Sequence, residues 1–151
     1  MSKAIIRAAG QGRLLEIGPT RNQIKLAAAE SGGLAGAVEM ELGPGFPGPP
    51  PHRHLEIDHL WYILEGRIDI VIDGERSAIG TGAFAYVPRG VPHTFANSGT
   101  EWARLLEVDT PRTLDAYFTE LAAAIPPGAA VDPEVVAGIQ RRHDTIPLPP
   151  R

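Results

Sequence analysis

The chain has 151 residues, 43% apolar and 21% charged, with a formal net charge of −4. That length and balance suit one globular domain with its own core, and the absence of a basic stripe argues against a nucleic-acid partner. Cysteine is absent, which removes disulfides and thiolate ligands and fits a reducing cytosol.

Seventeen glycines and fifteen prolines point to many turns and short strands rather than a helical bundle. The N-terminal stretch, MSKAIIRAAGQGRLLEIG, has no long apolar core of a signal peptide, and no run reaches the length of a membrane span. A cytoplasmic chain without membrane association is therefore expected. Leu14–Ile17 and Gln23–Ala28 are weak strand candidates. In Ala35–Leu42 the apolar Val38, Met40 and Leu42 alternate with Glu39 and Glu41, the pattern of a half-buried strand. Residues 43–51, GPGFPGPPP, exclude helix and central strand and read as an ordered extended loop.

Leu60–Leu64 follows as a strand, then a turn at Glu65-Gly66. Ile68, Ile70 and Ile72 alternate with Arg67, Asp69 and Val71, and Asp73-Gly74 is a strong hairpin-turn signal because type I′ turns need positive φ. Arg76–Ile79 returns, Ala83–Val87 and Thr94–Phe95 add strand, and Trp102–Val108 closes the set. Trp61, Ile63, Phe84 and Tyr86 read as core before they read as substrate contacts. Arg104 and Glu107 can each face cavity or solvent.

Beyond Pro111 the periodicity changes. Leu114, Tyr117, Phe118 and Leu121 fall at i, i+3, i+4 and i+7, an amphipathic helix stopped by Pro126-Pro127. Asp132-Pro133-Glu134 starts a second helix, with Val135, Val136 and Ile139 turned inward. His143 reads as a solvated helix end, and the tail IPLPPR as extended chain on the surface.

Four of the five histidines fall in two short stretches: His52, His54 and His59 in one, His93 in the other. Histidine is the commonest transition-metal side-chain ligand. His52 and His54 share one face of a strand. His59 has the opposite parity and joins them only if the chain bends between Leu55 and Asp58. His93 arrives by tertiary pairing, aimed by the rigid turn containing Pro88, Gly90 and Pro92. Arg53, between two candidate ligands, points away from them.

Gly82, Pro88, Gly90, His93 and Asn97 match the pattern G-x5-P-x-G-x2-H-x3-N, and the chain resembles the cupins, whose second motif this is. The first cupin motif is matched at His52, His54 and Gly66, while the position usually held by Glu is His59 and the leading glycine is displaced by one. The resemblance covers roughly residues 35 to 108. It implies an all-β fold, a double-stranded β-helix or jelly-roll barrel, over residues 1–110 with core motifs in 45–97. Residues 111–151 would then form short C-terminal α-helices packing on the barrel. It also implies metal ligands His52, His54, His93 and, in the Glu position, His59, holding one divalent transition metal ion among Fe, Ni, Cu, Zn, Co and Mn; Asp58, at the shorter spacing the motif allows from His54, competes with His59 for the fourth place, and Glu56 fits that spacing less well. No organic cofactor site is expected. Four neutral histidines leave such a centre one charge more positive than the usual set, and disfavour Mg and Ca. A metal-dependent enzyme on a small organic substrate is implied, dioxygenase-like first, with a zinc-type cyclase, isomerase or lyase, or a non-catalytic binding protein, as alternatives. Pairing into a homodimer through edge strands is expected.

Overall fold

The computed structural model describes residues 3–149. Two antiparallel sheets face one another. The larger runs β1 (Arg13–Ile17), β2 (Thr20–Leu26), β3 (Gly36–Leu42), β10 (Ala103–Thr110), β5 (Asp58–Glu65) and β8 (Phe84–Val87), in that order across the sheet. The smaller orders β11 (Ile146–Pro147), β4 (His52–Arg53), β9 (His93–Ala96), β6 (Arg67–Ile72) and β7 (Glu75–Gly80). This is the mostly β jelly-roll architecture expected.

Alternation decides which face of each strand is inside. On β3, Val38, Met40 and Leu42 are buried and Glu39 and Glu41 point outward. On β10, Leu105, Glu107 and Asp109 point inward, and Arg104 lies outside between Glu39 at 2.9 Å and Glu65 at 3.3 Å. The β6–β7 hairpin closes at Asp73-Gly74, both with positive φ. The early strands and β10 differ by a few residues from expectation, and a short helix, α1 (Ala28–Ser31), follows β2, overlapping the expected strand only at Ala28.

Two readings of large side chains need correction. Phe84 and Tyr86 are 60% and 53% exposed, because the inward face of β8 belongs to Ala85 and Val87. Trp61 and Ile63 are in the core as read. Val135 is exposed while Val136 and Ile139 are buried, so the second helix turns a narrower face inward than its sequence implied.

Helices α2 (Asp115–Ala124) and α3 (Pro133–Gln140) bury Tyr117, Phe118 and Leu121, and Val136 and Ile139. Asp132 caps α3 by accepting the Glu134 N–H at 2.9 Å. His143 is not a free helix end: it is half-buried and meets Glu120 Oε2 of α2 at 2.5 Å. The tail does more than lie on the surface. Ile146 and Pro147 pair with Arg53 and His52 as an added edge strand; Pro150 and Arg151 lie outside the described residues.

Candidate metal centre

The extended loop delivers the first ligands. Gly48 passes so close to Phe95 that a Cβ would strike the Phe95 carbonyl oxygen, and its φ of +83° suits glycine alone. Asn97, buried, fixes the other side: its Nδ2 donates to the carbonyls of Leu42 and Glu101 at 3.0 and 2.8 Å, and its N–H to Phe46 O at 2.9 Å. His52 on β4 then sits directly across the ladder from His93 on β9. After His54 the chain leaves the small sheet and enters the large one at Asp58, which supplies the bend that His59 needs.

All four imidazoles are buried, and one ligand nitrogen from each lies within 4.8 Å of the others. Asp58 does not join them. Its carboxylate points the other way and receives the Arg89 guanidinium, Nη2 to Oδ2 at 2.9 Å. Glu56 is exposed and pairs with Arg112 at 2.8 Å, and Arg53 is exposed, as its parity requires.

The hydrogen bonds fix the tautomers. His52 Nδ1 meets Pro50 O at 2.8 Å, His54 Nδ1 meets Asp144 O at 2.7 Å, and His93 Nδ1 meets Val91 O at 2.9 Å. A carbonyl only accepts, so each Nδ1 carries the hydrogen and each neutral ring turns a bare Nε2 lone pair inward. His59 Nδ1 donates to Asp109 Oδ1 at 2.6 Å. The Nε2 atoms of His54 and His93 are buried without a hydrogen-bond partner among the described residues. Buried polar atoms are seldom left so. A cation bound by the four Nε2 atoms would supply the missing partner, and this donor set suits zinc, iron, nickel, copper or cobalt better than magnesium or calcium.

Burial holds these rings neutral. It pulls His52 down to about 4, helped by repulsion from His59, against the Pro50 hydrogen bond. His54 and His93 go to about 2, first through burial and then through the neighbouring imidazoles. His59 is lowered as well, burial outweighing the attraction of Glu107 and Asp58. Neutral imidazole is the ligating form.

Two buried carboxyls stand behind His59. Asp109 holds its Nδ1, and Glu107, 3.8 Å from that nitrogen, accepts the Trp61 Nε1–H on Oε2 at 2.6 Å. Burial raises both carboxyls, and Asp109 adds like-charge repulsion at Glu107. The inward turn of Glu107 is the feature the sequence left open.

A cavity of about 70 Å³ adjoins the histidines, walled by Met40, Leu42, Phe46 and Phe95 from the barrel and Phe118 and Leu121 from α2. Trp61 and Glu107 also reach it, and among the described residues no lysine or arginine does. Among the described residues no helix is long and apolar enough to cross a membrane.

Comparison with known proteins agrees with this geometry. The family profile described as the cupin domain matches residues 38–109, which span both histidine segments. An uncharacterized protein of Aquifex aeolicus is 31% identical over 61 residues, 40% of this chain and 50% of that protein. The chain spans about half the length of the curated relatives it matches. Among solved structures, an RmlC-like cupin from Shewanella frigidimarina superposes with TM-score 0.63 at 19% identity, over 76% of this chain and 96% of that one. The polyketide cyclase RemF from Streptomyces resistomycificus does so with TM-score 0.62 at 23% identity, over 93% of this chain and 94% of its own. At these identities the likeness is one of fold.

Proposed function

We propose, from the match of residues 38–109 to the cupin domain profile, a mononuclear metal-dependent enzyme of the cupin superfamily in which His52, His54, His59 and His93 hold one divalent transition-metal ion. One observation carries the reading: every Nδ1–H is tied back to a carbonyl or carboxylate, and the Nε2 side of each ring is left for a common ion. When bound, such an ion supplies Lewis acidity toward a carbonyl, enolate or phenolate oxygen.

The protein's own groups do the rest. Met40, Leu42, Phe46, Phe95, Phe118 and Leu121 exclude water and accept an apolar body. Among the described residues no cationic side chain lies in the wall to pair with a phosphorylated substrate. Glu107, on the same wall and held through Oε2 by Trp61, is the proton carrier in this reading. That carboxyl favours acid–base chemistry without redox change, a cyclisation or isomerisation, over the dioxygenase reading. The whole-length likeness to a polyketide cyclase is consistent with it. The dioxygenase reading stays as the second, since an all-histidine centre also suits iron, nickel or copper.

The test is metal content by plasma mass spectrometry on protein purified without a metal-affinity tag, beside His59→Ala and His93→Ala. Near-stoichiometric metal, lost in both variants, is expected. No metal in the wild type after reconstitution would overturn the reading. Turnover unchanged without oxygen would favour the cyclase or isomerase; turnover abolished without it would favour the oxygenase.

A further inference from the structure

The segment carrying two of the four histidines is stapled along its length by the far end of the chain. Leu148 N–H donates to Pro51 O at 2.9 Å, and Ile146 and Pro147 pair with Arg53 and His52. Asp144 does most. Its main-chain oxygen receives His54 Nδ1–H at 2.7 Å. Its carboxylate receives the Leu55 N–H on Oδ1 at 3.0 Å and the Glu56 N–H on Oδ2 at 2.8 Å. It does this from a left-handed conformation, φ +48°, which a non-glycine residue adopts at a cost. Thr145, buried, adds its Oγ1 at 3.3 Å from His54 Nδ1 and ties its N–H to Gln140 O of α3 at 3.2 Å.

The helices ahead of this segment wall part of the cavity, Tyr117, Phe118 and Leu121 from α2 and Val136 from α3, and Thr145 ties the segment to α3. About 70 Å³ is well below the ~150 Å³ of an engineered cavity that admits benzene. A ring-sized substrate held wholly within it would need this wall to move. Yielding at residues 144–145 removes the acceptor that sets the ring of His54.

We propose that Asp144 is a positioning residue that couples docking of the C-terminal segment to the metal centre. Resting on the metal reading above, this makes the ion and the docked segment stabilise each other, as two ligands with a shared conformational equilibrium must. An acceptor behind a metal-bound histidine commonly governs affinity by about ten- to a hundredfold.

The experiment uses the whole chain loaded with cobalt(II). Affinity is measured by chelator competition, ligand field by the visible spectrum, and segment docking by amide hydrogen exchange with and without metal. Two variants separate the roles. Asp144→Gly keeps the main-chain oxygen and the left-handed φ but deletes the carboxylate clamp; Asp144→Asn keeps one acceptor. The expected result is slower exchange at residues 141–148 and 54–56 on metal binding. Affinity should fall about tenfold or more in Asp144→Gly, with a shifted cobalt spectrum, and recover in part in Asp144→Asn. A merely structural role would lower thermal stability and leave the spectrum in place. Wild-type metal binding with an unaltered affinity and spectrum in Asp144→Gly, and exchange indifferent to metal, would overturn the coupling alone. Failure of the wild type to bind cobalt would overturn the metal reading and this proposal with it.

Discussion

Asp109 on β10 stands directly across the ladder from His59 on β5 and takes its Nδ1–H at 2.6 Å. His59 is the one histidine of the four held by a carboxylate; the others lean on main-chain carbonyls. A carboxylate partner raises the donor strength of a ligating ring and locks its tautomer. Asp109→Asn is therefore expected to weaken metal affinity by about ten- to a hundredfold with the fold retained. Chelator competition measures this, and an unchanged affinity would remove His59 from the ligand set.

His59 occupies the position where the family motif carries Glu. Restoring it, His59→Glu, adds one negative charge to the centre and should move metal preference toward manganese. Competition between manganese and zinc for the apoprotein, wild type against variant, checks the direction.

Stability of the metal-free protein should depend on pH through the same cluster. His52, at about 4, and His54 and His93, at about 2, resist protons that the unfolded chain accepts near 6.5. Depressed histidines contribute fully above pH 6.5, and their contribution falls away below it, by up to about 1.4 kcal/mol per pH unit for each ring. Glu107 and Asp109, raised by burial, act in the opposite sense because the folded state keeps their protons. Histidines outnumber them, so denaturant midpoints should decline between pH 6.5 and 4.5. A flat or rising profile would contradict the neutral cluster.

Gly48→Ala tests the loop that brings His52 into place. With φ at +83° and the Phe95 carbonyl oxygen in the path of a Cβ, the substitution should cost on the order of 3 kcal/mol. Chemical denaturation measures it; a loss within about 0.5 kcal/mol, the usual range for surface changes, would mean that the loop relaxes freely.

We expect two copies of the chain to pair along β8. It is an edge strand, and its outward Phe84 lies opposite Tyr62 of β5, so that Phe84, Tyr86 and Tyr62 form an exposed aromatic stripe. Open edges and apolar patches of this kind are usually covered. Solution scattering should give a dimer mass for the wild type and a monomer for Phe84→Asp. A monomeric wild type would end the idea.

Much of the barrel was legible because its signals are local. The Asp73-Gly74 turn, the alternation in β3 and the spacing from Gly82 to Asn97 each declare themselves within a few residues. The face of a strand was harder to read. Alternation separates Phe84 and Tyr86 from Ala85 and Val87 without saying which pair is inside, and residue size pointed the wrong way. Glu107 was ambiguous for the same reason, and only pairing with β3 and β5 turned it inward. Asp58 and His59 were rivals until the strand phase put them on opposite faces. Asp144 had no signal at all: its contact with His54 spans 90 positions, and nothing near either residue encodes it.

The main-chain acceptors behind His52, His54 and His93 have a further implication. Three of the four rings hydrogen-bond to the backbone; His52 and His93 do so alone, while His54 also meets Thr145 Oγ1. The cavity wall can thus drift from one apolar shape to another without disturbing His52 and His93. Selection for a new substrate would act on residues such as Phe95, Phe118 and Leu121 while the inorganic chemistry is inherited unchanged. In this barrel reactivity and specificity are separately evolvable.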